Sequence, residues 1–215
     1  MSKPTPPSTT TKILLAVTGA SGQIYAARLA QLINEYTQTD TSPTPTGSAV
    51  PALHLEMVFT DTAKIVWQDE LNHTTTLQNT NNQQTPYPLP TNTIDNNSYY
   101  HPYASGSNAA DIMIIAPCTM GTIGRIASGA TTDLISRAAD VMLKERRTLV
   151  IVPRENPLNL IHLRNLTTLA QAGAIIAPAS PSFYTHPQNL EELIDTFARR
   201  ILNIAGIPIP QPRFE

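Results

Sequence analysis

The run over residues 148–152 constrains the fold more than any other stretch, because it is apolar and largely β-branched. Such a run is typical of a strand covered on both faces, as in a parallel sheet between two layers of helices. Arg154 and Glu155 follow it almost at once. In open α/β sheets, ligands bind at the carboxyl edge of the strands. These two residues therefore mark a ligand site, or else they pair with each other or cap the next helix, and spacing alone leaves these interpretations open.

Apolar runs and segments of helical periodicity alternate through the rest of the chain. Further strands are predicted over residues 12–17, 53–60, 111–116 and 174–178. Helices are predicted over residues 24–36, 61–71, 133–147, 158–172 and 190–205. Asp133 is predicted to be the N-terminal cap or a first-turn acid of its helix, and Gly173 is predicted to end the helix over 158–172. The alternation predicts an α/β fold, a three-layer parallel sheet with helices on both faces.

The chain of 215 residues is long enough for one such domain with a full core, over residues 12–206. Residues 1–11 are rich in Pro, Thr and Ser and are predicted to be disordered, and residues 207–215 form a C-terminal tail. Two polar inserts, near 37–51 and 72–97, are predicted to be solvated loops, the second partly disordered.

Charge and cysteine content exclude several classes of protein. The net charge of −2 gives no global signal for nucleic acid. The one cysteine, Cys118, rules out an internal disulfide, and the chain lacks the spaced Cys/His set of a zinc site. Cys118 is predicted to be a small buried side chain rather than a nucleophile. No apolar run reaches ~18 residues and no secretory signal is present, so we expect a cytoplasmic protein without a membrane partner.

Small and polar residues leave the predicted strands at several points. The Gly/Ser turn over residues 18–22 precedes a helix, and backbone N–H groups at a helix start favour a phosphate. The alternative is an ordinary turn with Ser21 as the helix cap. Because parallel strands end at one edge, we expect a single site for a phosphorylated, partly aromatic ligand. Its members would be Gly19, Ser21, Thr60, Thr119, Thr122, Arg154, Glu155 and Tyr184.

Two further groups of residues have a functional and a structural interpretation. Tyr99, Tyr100 and Tyr103 flank a small-residue turn, which fits either a lid over a planar ligand or an aromatic patch that pins a long loop. Arg137 and Lys144 lie seven residues apart and share one helix face. Asp140 lies on the same stripe, so an ordinary surface ion pair is the alternative.

Five segments together resemble the UbiX-type flavin prenyltransferases. They are V-T-G-A-S-G over 17–22, A-P-C-T-M-G-T over 116–122, R-A-A-D-V-M-L-K-E-R-R-T-L-V-I-V-P-R-E over 137–155, F-Y over 183–184 and A-R-R-I-L-N over 198–203. The long block over 137–155 is highly specific, whereas the glycine turn alone is not. The resemblance covers residues 12–214 apart from the two polar inserts.

This resemblance implies a Rossmann-like, flavodoxin-like flavoprotein that forms homo-oligomers, typically dodecamers. It implies FMN as the bound flavin, dimethylallyl monophosphate as co-substrate, and no metal. The family joins the dimethylallyl group to N5 and C6 of reduced FMN. The resulting prenylated FMN serves UbiD-type decarboxylases, including those of ubiquinone biosynthesis.

The same resemblance assigns residues to roles. FMN would be held by Gly19, Ala20, Ser21, Thr60, Thr119, Met120, Gly121, Thr122 and Arg154. The prenyl phosphate would be held by Tyr184, Arg200, Arg137 and Lys144. The catalytic residues would be Glu155, as acid and base near the flavin N5, with Lys144, Ser21 and Tyr99. The chemistry agrees, since departure of an allylic phosphate requires fixed cations around the leaving group.

The chain departs from the family pattern where Trp is common, because Tyr99 and Phe214 stand there with weaker π faces. Thr60 replaces a common Ser and keeps the hydroxyl. Two alternatives remain, an FMN-dependent cysteine decarboxylase of the same fold and a non-catalytic flavin-binding subunit. The cysteine decarboxylase is disfavoured because its chemistry does not need a cationic pocket for a second phosphate. The presence of Lys144, Glu155 and Arg200 together disfavours the second.

Overall fold

The structure, a computed structural model, describes residues 10–39, 52–78 and 87–210. The chain forms a sheet of six strands in the order β3-β2-β1-β4-β5-β6. Each strand pairing is parallel. The strands are β1 (Thr10–Val17), β2 (Ala52–Phe59), β3 (Ile94–Asp95), β4 (Ile112–Cys118), β5 (Thr148–Pro153) and β6 (Ile175–Ile176). The α-helices are α1 (Gln23–Thr39), α2 (Asp61–Gln78), α3 (Met120–Ala127), α4 (Leu134–Lys144), α5 (Leu160–Gln171) and α6 (Leu190–Ile204). The α/β fold with a three-layer parallel sheet is confirmed.

The sheet separates two apolar layers because the side chains of its central strands alternate between its faces. On β1, Ile13, Leu15 and Val17 pack into the layer that contains α1 and α6. Leu14 and Ala16 of the same strand pack into the layer that contains α3 and α4. All five side chains are fully buried. A strand apolar on both faces requires helices on both sides, as the sequence predicted.

Several elements extend into segments predicted to be irregular. Strand β1 begins at Thr10, inside the predicted N-terminal tail, because Thr10 and Thr11 pair with Ala52 and Leu53 of β2. Helix α2 continues to Gln78, well into the second polar insert, and helix α1 continues to Thr39. Asn and Thr cost only tenths of a kcal/mol each in a helix, so a polar sequence alone does not end one. Residues 1–9, 40–51, 79–86 and 211–215, which include Phe214, lie outside the described part.

Other elements are shorter than predicted. Helix α4 ends at Lys144, not at residue 147, because the chain turns sharply with Arg146 at φ 54° before β5 begins. Strand β6 has two residues instead of five. Gly173 takes φ +103° just after α5, as predicted for a glycine that ends a helix. The predicted strand over 148–152 is confirmed as β5.

Asp133 caps α4, as predicted. Its Oδ1 accepts from the Ser136 N–H at 2.8 Å, and the Ser136 hydroxyl accepts from the Asp133 N–H at 3.2 Å. This reciprocal pair is a capping box and satisfies two backbone donors that the helix leaves unpaired. Asp133 Oδ2 also lies 3.5 Å from the Arg125 guanidinium.

We predict that Asp133→Ala lowers the free energy of unfolding by about 1 kcal/mol because the cap is lost. That loss corresponds to a decrease of roughly 2–4 °C in Tm for a protein of this size. Thermal denaturation at fixed protein concentration measures it. Asp133→Asn is the matched control because it keeps the accepting oxygen, and its Tm is expected to fall less. A Tm of Asp133→Ala equal to that of the wild type would contradict the capping role.

Candidate active site

The exits of neighbouring strands are tied together at the carboxyl edge of the sheet. Four backbone hydrogen bonds of 3.0–3.3 Å join each exit to the end of the next strand: Thr60 N to Val17 O, Thr18 N to Pro117 O, Arg154 N to Cys118 O and Ala179 N to Pro153 O. The residues predicted at these exits therefore share one edge, as expected. We call this surface the carboxyl edge.

The turn after β1 depends on close packing and on one buried amide. A Cβ at Gly19 would lie 2.5 Å from Thr62 Cγ2, so any side chain there would collide with the first turn of α2. The Gln23 side chain is fully buried, and its Nε2 donates to the backbone oxygens of Thr18 and Ala20 at 2.9 and 2.7 Å. Gln23 Oε1 is buried without a hydrogen-bond partner in the described part of the chain. Gln23 was not among the predicted site residues, because its position in the sequence indicates only the start of a helix.

The start of α1 binds a negatively charged group of the protein itself, the Glu70 carboxylate. The N–H groups of Gly22 and Gln23 donate to the Glu70 carboxylate at 2.9 and 2.8 Å. The prediction that these two N–H groups are open to a phosphate is therefore wrong, although the preference for negative charge is as expected. Ser21 is not the cap that the alternative interpretation required, because Glu70 performs that role.

Arg154 provides the cation of the carboxyl edge. Its Nε donates to Ser21 O at 3.0 Å, which brings an exposed guanidinium beside the Gly/Ser turn. Burial raises the pKa of the Tyr25 hydroxyl, and the Arg154 charge works against that increase. Glu155 is exposed and accepts from the Asn156 N–H at 3.1 Å. Because Arg154 bonds to Ser21 and Glu155 bonds to Asn156, the ligand-site interpretation is favoured over a pair between them.

The threonines at the other exits shape the backbone. Thr60 Oγ1 accepts from the Ala63 N–H at 3.1 Å and so caps α2, and Thr119 Oγ1 accepts from the Thr122 N–H at 3.2 Å and so caps α3. Thr122 is buried, and its hydroxyl oxygen accepts a hydrogen bond from Arg125 Nη2 at 3.0 Å. Met120 is buried and Gly121 exposed in the first turn of α3. Thr122 therefore supports the edge from inside the protein, while Gly121 is at its surface.

Cys118 is fully buried at the end of β4. Burial strongly raises the pKa of its thiol, with Arg125 acting weakly in the opposite direction. A thiol without access to solvent and with a raised pKa does not form the thiolate that attacks a substrate. The prediction that Cys118 is a buried side chain is confirmed.

Tyr184 and Arg200 line one cavity, as the prediction that they act on the same phosphate requires. The cavity measures ≈ 550 Å³ and lies between α6 and the chain that follows β6. Phe197 and Ile201 give it an apolar wall, and Ser180 and Ser182 supply hydroxyls. One cation, one phenol and an apolar wall suit a small ligand with a charged head and an apolar tail.

Lys144 and Arg137 form a second basic group on α4. Arg137 Nε donates to Ala104 O at 3.1 Å, and its Nη1 donates to Asp140 at 2.8 Å, so the ion pair of the alternative interpretation is present. Lys144 pairs with Glu145, and this contact holds the pKa of the Glu145 carboxyl below its usual range.

The loop before β4 lies directly over this basic group. A Cβ on Gly106 would fall 2.6 Å from Lys144 Nζ, so the loop backbone touches the ammonium. Tyr103 is buried, Tyr99 is half exposed with its hydroxyl donating to Thr131 O at 3.2 Å, and Tyr100 is fully exposed. One tyrosine therefore pins the loop, and the other two remain accessible. Gly106 was not among the predicted site residues, because its approach to Lys144 leaves no signal in the local sequence.

Lys144 lies at the opposite edge of the sheet from Arg154. It ends α4 just before β5, close in sequence to Arg147. Arg147 pairs with Asp111 at 2.6 Å. Asp111 also accepts from the Lys12 N–H near the start of β1, so this group lies where strands begin. The six residues of β5 separate the two edges by about 20 Å. The cations that the resemblance assigns to one site, Lys144 and Arg154 among them, therefore do not meet within one chain. Helix α4 and the Arg200 cavity also lie on opposite faces of the sheet.

The described residues contain neither a metal-binding cluster nor a membrane-spanning helix. Within 10–39, 52–78 and 87–210, no group of three or more His, Cys, Asp or Glu side chains is placed to hold a metal ion. In the same ranges, no helix has both the length and the apolar character needed to cross a bilayer.

Known proteins match this chain over nearly its whole length. The family model described as Flavoprotein matches residues 1–202. The flavin prenyltransferase UbiX of Methanocaldococcus jannaschii is 35% identical over 196 residues, which cover 91% of this chain and 94% of that protein. These matches agree with the parallel sheet and its polar carboxyl edge, which define the class as an α/β flavoprotein. Within that class, the chain belongs to the UbiX-type flavin prenyltransferases.

Solved structures of UbiX-like proteins also resemble the fold of this chain. A dodecameric FMN-dependent UbiX-like decarboxylase from Escherichia coli O157:H7 has a TM-score of 0.78 and 30% identity, covering 95% of this chain and 100% of that one. AnUbiX (PadA1), in complex with FMN and dimethylallyl pyrophosphate, has a TM-score of 0.75 and 32% identity, covering 95% and 99%. These similarities confirm the Rossmann-like fold class.

We predict that Glu70→Ala lowers the free energy of unfolding by about 1 kcal/mol, because the start of α1 loses its counter-charge and acceptor. Glu70→Gln keeps an acceptor without the charge and is expected to lose about half as much. Urea denaturation of both variants beside the wild type measures the difference. Equal stability of all three proteins would show that the carboxylate does not stabilise the turn.

Proposed function

We propose that this protein transfers the dimethylallyl group of dimethylallyl monophosphate to reduced FMN, joining it to N5 and C6 to give prenylated FMN. The observation that carries this proposal is the cavity lined by Arg200 and Tyr184, which is separate from the cation at the carboxyl edge, Arg154. Two separate cationic positions suit two phosphates, one on the flavin and one on the prenyl donor.

The carboxyl edge fits FMN through the chemistry of its donors. An exposed guanidinium beside a glycine turn suits a phosphate monoester, and the buried, unpartnered Gln23 Oε1 offers an acceptor beside the same turn. FMN would be held by the set assigned above, with Arg154 as its cation. The reduced flavin would supply the nucleophilic ring positions of the reaction.

The side chains of this protein would control the departure of the prenyl phosphate. Arg200 would meet the charge that develops on the leaving phosphate, and Tyr184 would donate a hydrogen bond to it, which together replace a metal ion. The phenol ring of Tyr99 would face the cationic allyl group. Glu155 would accept the proton that leaves N5, since its exposed carboxylate follows Arg154 directly at the carboxyl edge.

Lys144 and Arg137 would serve the same phosphate from another copy of the chain. Helix α5 carries an exposed apolar face with Leu160 60% and Ile161 67% exposed, and of its twelve residues only Leu169 is buried. Such a face is typical of a contact between subunits. A homo-oligomer, of which the dodecameric relative is one form, would bring the α4 group of one copy to the Arg200 cavity of another.

The product would pass to a UbiD-type decarboxylase. Cys118 is a free, buried thiol, a state common in the reducing cytoplasm, where we place the protein.

A cysteine decarboxylase on this fold would not require a cation in a second cavity, and a flavin-binding subunit would not require Arg200, Tyr184 and Glu155. Those residues therefore favour the transferase.

The direct test is anaerobic incubation of the protein with reduced FMN and dimethylallyl monophosphate, followed by mass analysis of the flavin. We expect a flavin whose mass has increased by one dimethylallyl-derived unit. Arg200→Ala is expected to raise the KM for the prenyl phosphate by about tenfold or more, because a charge-assisted hydrogen bond is lost, while FMN affinity stays unchanged. Unmodified flavin with the wild type would reject the function. Equal loss of both affinities in Arg200→Ala would assign Arg200 to the flavin phosphate instead.

A composite site also predicts complementation between two inactive variants. Lys144→Ala and Glu155→Gln are each expected to lose most activity. Oligomers that contain both chains, isolated by two different affinity tags after co-expression, are expected to regain roughly a quarter of the sites, if each site takes the two residues from different copies. No recovery in the mixed oligomers would mean that one chain provides both residues.

A further inference from the structure

We propose that Glu56 and Tyr103 are positioning residues of the α4 phosphate group, and that they act by fixing the Gly106 backbone against Lys144. The inference rests on the proposed function, since it concerns how Lys144 is held for the prenyl phosphate. Neither residue is among those assigned above to FMN, to the prenyl phosphate or to catalysis. Glu56 lies on β2, and Tyr103 lies in the short 3-10 turn Pro102–Ala104.

The first link is a hydrogen bond between a buried phenol and a carboxylate. Tyr103 is 3% exposed, and its hydroxyl donates to Glu56 Oε2 at 2.5 Å. Its ring packs in the apolar layer formed by β4 and α4. Burial, and then the bond to Glu56, raise the pKa of Tyr103, so its hydroxyl remains a donor at neutral pH. A hydrogen bond to a charged acceptor is stronger and more directional than a neutral one.

Glu56 is itself held on several sides. His54 Nε2 lies 3.6 Å from its Oε2, and His101 Nε2 lies 3.9 Å from its Oε1. The His101 ring packs against the Tyr103 ring with centroids 5.0 Å apart, and His101 Nδ1 accepts from the Tyr103 N–H at 3.4 Å. These contacts join the loop to β2 through side chains more than forty residues apart in sequence. The carboxylate is therefore a fixed anchor and not a mobile surface group.

The second link runs from Tyr103 to Lys144. Ala104, the next residue, accepts from Arg137 Nε at 3.1 Å. Two residues further, the backbone of Gly106 is so close to α4 that a Cβ would lie 2.1 Å from Glu145 Oε1 and 2.6 Å from Lys144 Nζ. The loop thus determines which side of the ammonium a phosphate can approach. Movement of the loop at Tyr103 would change the geometry at Lys144 without altering any residue of the carboxyl edge.

The test compares Tyr103→Phe and Glu56→Gln in the full-length oligomer with FMN bound. Tyr103→Phe keeps the ring and removes only the hydroxyl, and we expect the KM for dimethylallyl monophosphate to rise about tenfold with kcat and FMN affinity nearly unchanged. Glu56→Gln keeps an acceptor for the phenol and is expected to show a smaller rise. Tyr87→Phe is the matched control, because that half-buried tyrosine contacts the opposite face of the sheet and its loss should leave KM unchanged.

A second measurement does not depend on activity. Acylation of Lys144 by a small amine-reactive reagent, followed by mass spectrometry, reports how well inorganic phosphate protects this amine. We expect Tyr103→Phe to require about tenfold more phosphate for the same protection, whereas labelling of Lys64 stays constant.

The two measurements separate the inference from the function. A wild type that makes no prenylated flavin but loses phosphate protection of Lys144 in Tyr103→Phe would reject the function and keep the positioning role. Unchanged KM and unchanged protection in Tyr103→Phe, with only a lower Tm, would show a purely structural role and overturn the inference. A parallel loss of FMN affinity would overturn it as well.

Discussion

The buried hydroxyl of Thr18 joins the two central strand exits, and the carboxyl edge depends on it. Its Oγ1 donates to Pro117 O at 2.8 Å and accepts from the Thr119 N–H at 2.8 Å, while its own backbone oxygen receives the Gln23 amide. A polar group buried at 1% exposure is stable only when its hydrogen bonds are satisfied. The same atoms thus fix the spacing between the Gly/Ser turn and the start of α3, which is where a flavin would bind.

Three cations lie at separate positions of one chain, and the proposed function brings them together by assembly of several copies. Arg154 lies at the carboxyl edge, Arg200 lines a cavity on the α1–α6 face, and Lys144 ends α4 at the opposite edge. Clustering these cations within one chain would incur mutual repulsion in the absence of ligand. In the proposed oligomer, these cations would come together only where copies of the chain meet, so a single chain would avoid that repulsion. The exposed apolar face of α5 is consistent with the same assembly.

Features that depend on local sequence were predictable, whereas features that depend on distant partners were not. The apolar strand before Arg154 and the cap at Asp133 follow from neighbouring residues, and both are confirmed. Glu70 contacts a turn 48 residues away, and Tyr103 contacts a residue 47 positions away, so neither has a local signal. The edge on which Lys144 lies was predictable in principle. A crossover helix between parallel strands returns to the amino edge, so a residue at its end cannot lie beside a strand exit.

The most direct measurement of the account is a crystal structure of the assembled protein with FMN and dimethylallyl monophosphate. We expect the prenyl phosphate between Arg200 and the Lys144 ammonium of a different copy, each within about 4 Å, with Arg154 at the flavin phosphate. A structure in which Lys144 faces solvent, or contacts a surface without bound phosphate, would contradict the account.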